Sequence, residues 1–203
     1  MNDVNLQRSI ESALVGTLLQ LLDLPEKVKE GHGDLPLHVK YSVRCLTSAS
    51  RSLASVNQIV ESPTGFKVML DFLKFSKEEE ILANAAKIVR ICLKEDLHYA
   101  KLTATHLEMG NELLSGMQKY GFSEFVVIEL LAAFRNFAKK GEKLKLVEVQ
   151  KLDVLLGMVS HPQNEKIYAL ALQNVKLVMR VHELKLHCEA VGGAELTAAL
   201  KQD

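Results

Sequence analysis

The chain has few of the residues on which strand-rich folds depend. Its 203 residues include no Trp, only 5% aromatic residues, four Pro and eleven Gly. All-β proteins need many turns built from Pro and Gly, and their strands favour aromatic and β-branched side chains. The chain favours Leu, Ala, Lys and Glu, which are helix formers. The composition therefore predicts an all-helical protein.

Net charge and long apolar runs are also lacking. Lys and Arg number 25, and so do Asp and Glu. A nucleic-acid binder usually carries a basic excess, because neutralising phosphates supplies most of its affinity. No apolar run approaches the ~18 residues of a membrane span, and the N-terminus lacks the pattern of a signal peptide. We therefore expect an intracellular, cytoplasmic protein, with a nuclear or ciliary location left open.

The cysteines are few and widely separated. Cys45, Cys92 and Cys188 are odd in number, and each lies in an apolar stretch with helical spacing. Small apolar thiols in such positions are usually buried and reduced. The sequence therefore predicts three buried free thiols in a reducing compartment.

Four segments repeat one amphipathic pattern. They are 43–46, 88–91, 134–137 and 175–178, and their first residues are 45, 46 and 41 positions apart. A period of about 40–47 residues of helix is typical of armadillo and HEAT solenoids. Such a unit cannot bury its apolar face alone, so it stacks on its neighbours and leaves a long concave surface. The pattern predicts a protein that binds other molecules.

A second marker has nearly the same period. Glu61, Glu108, Glu148 and Glu189 each close a predicted short helix, at steps of 47, 40 and 41 residues. A break and then an apolar helix follow each of them. The agreement of the two markers supports a repeat.

Apolar spacing also predicts the helices themselves. An N-terminal helix is expected over 4–24, with Leu14, Leu18, Leu21 and Leu22 on one face, followed by a mobile loop up to residue 36. About three repeats then occupy residues 37–181, and an incomplete terminal repeat occupies 182–203. Further helices are predicted over 37–52, 53–61, 66–75, 76–93, 96–108, 111–120, 123–140, 142–150, 152–159, 164–181, 182–191 and 194–201.

Local signals predict several helix ends. Ser76 and Glu79 have the spacing of a capping box, which places a helix start at Ser76. Gly110 and Gly121 are placed as helix-ending glycines. The pair Gly192-Gly193 predicts a break within the last segment.

Two motifs resemble those of the armadillo-repeat family. Residues 133–138 (Ala-Phe-Arg-Asn-Phe-Ala) are similar to the family's third-helix motif, and 187–193 (His-Cys-Glu-Ala-Val-Gly-Gly) to the link between its first two helices. The resemblance extends from about Leu37 to the end of the chain. It implies a right-handed α-solenoid of three-helix repeats with an N-terminal helical cap, whose third helices line a concave groove.

The chain departs from the family at the groove. Importin-α and β-catenin-type grooves keep an Asn at one position of each third helix, where the amides hold an extended peptide. The matching positions here are Cys45, Arg90, Asn136 and Leu177, so the amide remains at Asn136 alone. The flanking Trp residues of importin-α are absent. We therefore do not expect recognition of a nuclear-import signal by that mechanism.

Basic residues surround these positions. Residues three or four apart share a helix face, and the resulting groove is expected to be mainly basic. A basic groove attracts an acidic or phosphorylated segment, whereas the alternative is a solvated polar face with no ligand. The residues predicted to bind a partner are Lys87, Arg90, Lys94, Glu129, Asn136, Lys140, Gln173, Lys176 and Arg180.

Catalytic and metal-binding patterns are weak. His182 and His187 are five positions apart, about 140° around a helix, whereas the zinc-protease motif uses a spacing of four that keeps both on one face. A zinc site from these two and Cys188 is therefore a remote alternative to partly buried helix residues. His98 and His106 are expected to be surface or packing residues. We predict no enzyme activity, no cofactor and no metal.

The expected function is a non-catalytic adaptor or scaffold for protein–protein interaction, whose basic groove binds an acidic or phosphorylated segment or helix of a partner. Alternatives are a nucleic-acid-binding helical repeat and a self-associating fragment of a larger armadillo scaffold. The terminal unit lacks its third helix and carries an apolar stripe over 194–200. We therefore expect the C-terminal end to self-associate or to continue into a larger protein.

Overall fold

A computed structural model describes residues 13–22, 35–140 and 142–200, with backbone alone at 142, 193–195 and 197–199. Every regular element in these ranges is a helix. The chain divides into two compact units, residues 1–102 and 103–203, which are described separately. The loop predicted over 23–36 lies almost wholly outside the described residues, and the single-domain organisation stays a prediction.

The first element described in the first unit is helix α1 (13–20), and the part of the predicted N-terminal helix before residue 13 lies outside the described residues. Four helices follow. A long helix comes first, then two shorter ones and then another long one, as a repeat of two short helices and one long helix predicts. They are α2 (Leu37–Ala49), α3 (Leu53–Glu61), α4 (Gly65–Phe75) and α5 (Glu79–Cys92). α5 packs against α2, α3 and α4.

The core of the first unit follows helical spacing. Phe66, Met69 and Leu73 are buried at steps of three and four along α4, and Ile81, Ala85 and Ile88 do the same along α5. Burying one large apolar side chain stabilises a fold by about 1.5–3 kcal/mol. The N-terminal stripe is rotated from the predicted one. Its buried residues in α1 and the following turn are Val15, Leu18 and Leu22, whereas Leu14 and Leu21 are about half exposed.

Helix α6 (Asp96–Thr105) crosses the boundary between the two units. The second unit continues with seven further elements. They are α7 (Met109–Lys119), α8 (Glu124–Ala138), two short 3₁₀ segments (Glu142–Leu146 and Val149–Leu152), α9 (Asp153–Ser160), α10 (Glu165–Val178) and α11 (His182–Leu200). α8 packs on α7 and α10, and α9 packs on α10 and α11.

The α-helix predicted over 142–150 is wrong, because two 3₁₀ segments replace it. The cause is the buried side chain of Asn111, near the start of α7. Its Oδ1 accepts a hydrogen bond from the N–H of Glu148 at 2.8 Å, and its Nδ2 donates to the carbonyl of Leu146 at 3.3 Å. Glu148 itself is extended, with φ −66° and ψ 123°. The side-chain amide of Asn111 thus forms hydrogen bonds with the Glu148 N–H and the Leu146 carbonyl, whereas in a continuous helix these two groups would bond to other backbone groups.

Replacing Asn111 by Ala is expected to destabilise the protein by about 2 kcal/mol, because two partly buried backbone groups lose their partner. The matched control is Asn84→Ala, since Asn84 makes only an exposed bond from its Nδ2 to the Glu80 carbonyl, at 2.8 Å. Its expected change is within about 0.5 kcal/mol. Urea unfolding followed by circular dichroism measures both, and equal effects would contradict the bridging role of Asn111.

Three predicted helix ends also differ from the structure. α5 begins at Glu79 rather than Ser76, because the Ser76 hydroxyl accepts a hydrogen bond from the Glu78 N–H at 3.1 Å in the preceding turn. Gly110 lies inside α7 rather than at a break. Gly192-Gly193 does not interrupt α11, although helix-interior glycine costs about 1 kcal/mol relative to alanine.

Asn164 caps α10 through its side chain. Its Oδ1 accepts a hydrogen bond from the N–H of Ile167 at 2.9 Å, which satisfies one of the unpaired donors of the first turn. The cap explains why the helix starts three residues after Pro162, at Glu165.

Side-chain contacts between separate elements join residues at similar distances along the chain. In the first unit, Lys40 Nζ lies 2.8 Å from Glu78 Oε1, 38 positions away (78 − 40), and Arg44 pairs with Glu80, 36 positions away. The offsets in the second unit run from 34 to 43 residues. Within each unit, these contacts therefore join elements whose residues are 34 to 43 positions apart, which is mostly somewhat less than the predicted period.

Candidate binding surface of the second unit

Helix α8 has one open face along its whole length. The residues of α8 that face the core are buried, and the first and last of them are Val126 and Ala138. The positions between them are exposed or half-buried, at steps of three and four residues. These open positions are Phe125, Ile128, Glu129, Ala132, Arg135, Asn136 and Lys139.

Helix α10 has a matching open face. Its buried residues include Ile167, Ala171, Asn174 and Val178, at helical spacing. The opposite side is open and continues into the turn after the helix. The open positions are Glu165, Ala169, Leu172, Gln173, Lys176 and Arg180.

A hydrogen bond joins the two open faces. Arg135 Nη1 donates to Gln173 Oε1 at 3.1 Å, and this contact is at the surface. Below it, the fully buried Asn174 donates from Nδ2 to the Leu131 carbonyl at 3.0 Å. The two open faces are therefore neighbours on a single surface.

The two helices run in the same direction. Gln163 Nε2 donates to the carbonyl of Gly121 just before the helices begin, and Asn174 bonds Leu131 in their middle. These pairs are 42 and 43 positions apart, so position advances along both helices together. The surface formed by the open positions of α8 and α10 is called the α8–α10 face below.

The α8–α10 face is polarised in charge. Its carboxylates lie near the helix starts, at Glu129 and Glu165, and Glu124 lies beside them. One cation, Lys166, is exposed in the first turn of α10, whereas the others lie in the last turns and just beyond. They are Arg135, Lys139, Lys140, Lys176 and Arg180. Negative side chains stabilise the start of a helix and positive side chains stabilise its end, through the helix dipole. Because α8 and α10 are parallel, their starts lie side by side, and so do their ends.

Exposed aromatic rings mark the N-terminal end of the same surface. Phe125 begins the open face of α8 and is 60% exposed, and Phe122, in the turn before, is 72% exposed. A single exposed apolar side chain is common on protein surfaces. Two exposed aromatic side chains close in sequence, beside a polar surface, are more typical of a binding site. The surface thus has an aromatic end and a basic end.

The predicted partner-binding residues fall in both units. Glu129, Asn136, Lys140, Gln173, Lys176 and Arg180 belong to or adjoin the α8–α10 face. Lys87 and Arg90 are half-buried on α5, and Lys94 is exposed just after it. The structure therefore brings six of the nine predicted residues onto one surface of the second unit.

Ion pairs with glutamate side chains of this chain offset the positive charge on the α2 side of the first unit. Lys40 pairs with Glu78, and the Arg44 guanidinium pairs with Glu80. The hydrogen bond to Glu80 raises the pKa of Arg44, against a small opposing effect of burial. Local sequence spacing does not place Glu78 and Glu80 against α2, because they are 36 to 38 positions from their partners (78 − 40, 80 − 44).

Two contributors to the surface were missed in the sequence. In the sequence, Arg135 stands out only as part of the motif over 133–138, although it forms the surface hydrogen bond between α8 and α10. Phe125 is one helical turn before Ile128 on the open face, and that spacing was the available signal. Asn174 was missed as well, and its Oδ1 is buried without a hydrogen-bond partner.

The described residues hold no group of three His, Cys, Asp or Glu side chains suited to a metal ion. His187 Nε2 lies 2.7 Å from Asp153 Oδ1 on α9, which gives it a partner in packing α11. His98 is buried, as a packing residue would be. Searched over the same described residues, no helix has both the length and the apolar character of a membrane span.

The cysteine prediction is right for two of three thiols. Cys92 and Cys188 are buried, and burial raises their pKa to about 12 and about 11. Cys45 is exposed, so the prediction that it is buried is wrong. It lies on the open side of α2 between Tyr41 and Ser48, at steps of four and three residues.

A search against protein-family models finds no match, and a search of curated proteins finds none either.

Proposed function

We propose that this protein is a non-catalytic adaptor that binds an acidic segment of a partner protein on the α8–α10 face. We further propose that its helices form an armadillo-like α-solenoid. The parallel packing of α8 with α10 supports the solenoid, as does the offset of 34 to 43 residues between contacting elements in each unit. Two of these offsets, 42 and 43 residues, fall within the 40–47 residues of an armadillo or HEAT repeat, and the others are a few residues shorter.

The polarised charge of the α8–α10 face is the observation that carries the binding proposal. Four cations of the face and the adjoining Lys140 lie at its C-terminal end. No Asp or Glu follows Glu129 in α8 or Glu165 in α10. Arginine binds carboxylate and phosphate through paired hydrogen bonds, and a cluster of cations speeds the encounter with an acidic partner. We therefore expect the acidic residues of the partner to bind at the C-terminal end of the α8–α10 face, around Arg135 and Arg180.

The aromatic end supplies the second half of the site. Phe122 and Phe125 offer apolar area to a partner residue, and such buried anchors carry much of the energy of protein interfaces. Phe125 and Lys139 are separated by 14 positions (139 − 125), or about 21 Å of helix. An extended partner covers that distance with about six residues. The preferred ligand thus carries an apolar residue about six positions from an acidic cluster.

Nucleic acid fits the face less well than an acidic peptide. Glu124, Glu129 and Glu165 occupy its N-terminal end, and they repel a backbone with uniform negative charge. A peptide can place its acidic residues at one end only. Self-association through α11 is a separate proposal. The exposed large hydrophobic residues described on α11 are Leu186 and Val191, whereas Leu196, in the predicted apolar stripe, is buried.

A displayed library of random peptides tests the proposal. Selection on the full chain is expected to enrich peptides with an acidic cluster and an aromatic or aliphatic residue about six positions away. The double variant Lys139→Glu/Arg180→Glu should bind the selected peptides at least tenfold more weakly, because each reversal replaces an attraction by a repulsion. Both side chains are exposed, so folding should be unaffected.

The control has the same change in net charge at other positions. Lys74→Glu/Lys145→Glu reverses two exposed cations that are outside the α8–α10 face and should retain the affinity of the natural chain. Equal losses in the two double variants would show a nonspecific charge effect. Enrichment of basic peptides would overturn the proposal.

A further inference from the structure

A cleft in the first unit has the features of an anion site. It has a volume of about 560 Å³ and lies where α2 ends and α3 begins. Most of its wall is apolar, from Leu14 and from the carbon atoms of α2 and α3. Its polar lining residues are Arg44, Cys45, Ser48, Arg51, Ser52 and Ser55.

The start of α3 borders this cleft, because Ser52 and Ser55 line it. Ser52 is extended, with φ −90° and ψ 131°, and no side chain caps the helix. The helical ladder begins with the N–H of Val56, which donates to the Ser52 carbonyl at 3.1 Å. The three preceding N–H groups, of residues 53–55, therefore have no helical acceptor. The first turn also contains no acidic residue, so the positive end of the helix dipole is not neutralised there.

A buried hydroxyl supplies the second, independent observation. Ser55 lines the cleft and is only 2% exposed, and its Oγ has no hydrogen-bond partner. Buried polar groups in native proteins nearly always have one. The hydroxyl donor of Ser55 is thus suited to an acceptor that occupies the cleft.

The cleft also has a cation at its edge. Arg51 is exposed, in the turn between α2 and α3. Arg44, the other guanidinium that lines the cleft, is already paired with Glu80 of α5. Arg51 therefore supplies the charge that a bound anion needs.

We propose that this cleft binds a phosphate group, held by the N–H groups at the start of α3, the Ser55 hydroxyl and the Arg51 guanidinium. A tetrahedral anion with several acceptor oxygens matches such a set of donors, and helix N-termini are common phosphate sites. Both inorganic phosphate and a phosphorylated side chain offer this chemistry. The site is in the first unit and does not depend on the α8–α10 face.

Amide NMR of the full chain tests the site with inorganic phosphate and, separately, with phosphoserine, against chloride at equal ionic strength. The N–H signals of Ala54 and Ser55 should shift and saturate with phosphate and not with chloride. A phosphorylated side chain is the natural source if phosphoserine binds at least as tightly as phosphate. Free phosphate is the source if phosphoserine binds more weakly.

Two variants identify the donors. Ser55→Ala and Arg51→Gln should each weaken phosphate binding about tenfold, which is the usual effect of losing one hydrogen bond to a charged group. Lys74→Gln, on the exposed side of α4, is the matched control and should bind like the natural chain.

The Ser55→Ala variant also reports on the unpartnered hydroxyl itself. Because that hydroxyl lacks a partner, its removal should leave the unfolding temperature in chloride unchanged or higher, and it should reduce the increase in that temperature caused by phosphate. Two results would overturn the proposal: no saturable shift at Ala54 and Ser55, or equal phosphate affinity in Ser55→Ala and the natural chain.

Discussion

Iodoacetamide is expected to modify Cys45 rapidly in the folded protein and to leave Cys92 and Cys188 intact. Cys45 is exposed on α2, whereas the other two side chains are buried. Only the thiolate reacts, so reactivity depends on both access and pKa. Mass spectrometry of peptides after timed labelling at pH 8 measures each site separately.

The protection of the buried thiols has two causes. Burial raises the pKa of Cys92 to about 12 and that of Cys188 to about 11, the latter with added repulsion from Asp153 and Glu189. At pH 8 the thiolate fractions are then about 10⁻⁴ and 10⁻³, respectively. Restricted access lowers the rates further. We therefore expect Cys45 to react at least about 100-fold faster than either buried thiol.

The matched controls are Cys45→Ser and the denatured chain. Cys45→Ser should show no fast labelling, and in denaturant all three cysteines of the natural chain should react at similar rates. Fast native labelling of Cys188 would contradict the packing of α11 on α9. Protection of Cys45 would contradict the open side of α2.

The same substitution at two glycines is expected to change stability in opposite directions. A Cβ at Gly110 would lie 2.6 Å from Phe137 Cε1 and 2.9 Å from Val147 Cγ2. Both neighbours are buried, and a rigid ring cannot move aside cheaply. A Cβ at Gly157, within α9, would meet no atom within 4 Å.

Gly110→Ala should therefore destabilise the protein by about 2 kcal/mol, since overpacking a core costs about 1–3 kcal/mol. Gly157→Ala should stabilise it by about 0.5–1 kcal/mol, because alanine favours the helix and restricts the unfolded chain. Urea unfolding followed by circular dichroism measures both changes. A stabilising Gly110→Ala would show that α7 does not approach Phe137 as closely as the structure places it.

These glycines illustrate how far the sequence predicts the fold. Spacing and turn residues placed most helices within a few positions of their observed ends, and Leu53–Glu61 agrees with its prediction at both ends. Gly110 was interpreted as a helix end because glycine favours such ends. Its actual role is to permit close approach of Phe137, 27 positions away (137 − 110), and no local pattern contains that information.

The binding surface was predictable to a similar extent. The period identified the long helices and hence Asn136, Gln173 and Arg180. The bond from Arg135 to Gln173 depends on how α10 lies against α8, and the pairing of Arg44 with Glu80 depends on how α5 lies against α2. Tertiary packing, rather than local spacing, decides which cations remain available to a partner.

The most direct test of the proposed adaptor function is to map one selected acidic peptide on the protein by amide NMR. We expect the largest shifts in the last turns of α8 and α10, around Arg135, Lys139 and Arg180, with smaller shifts at Phe122 and Phe125. The shifts should weaken as salt increases, because the basic end supplies part of the attraction. Shifts confined to other helices, with the α8–α10 face unchanged, would contradict the account.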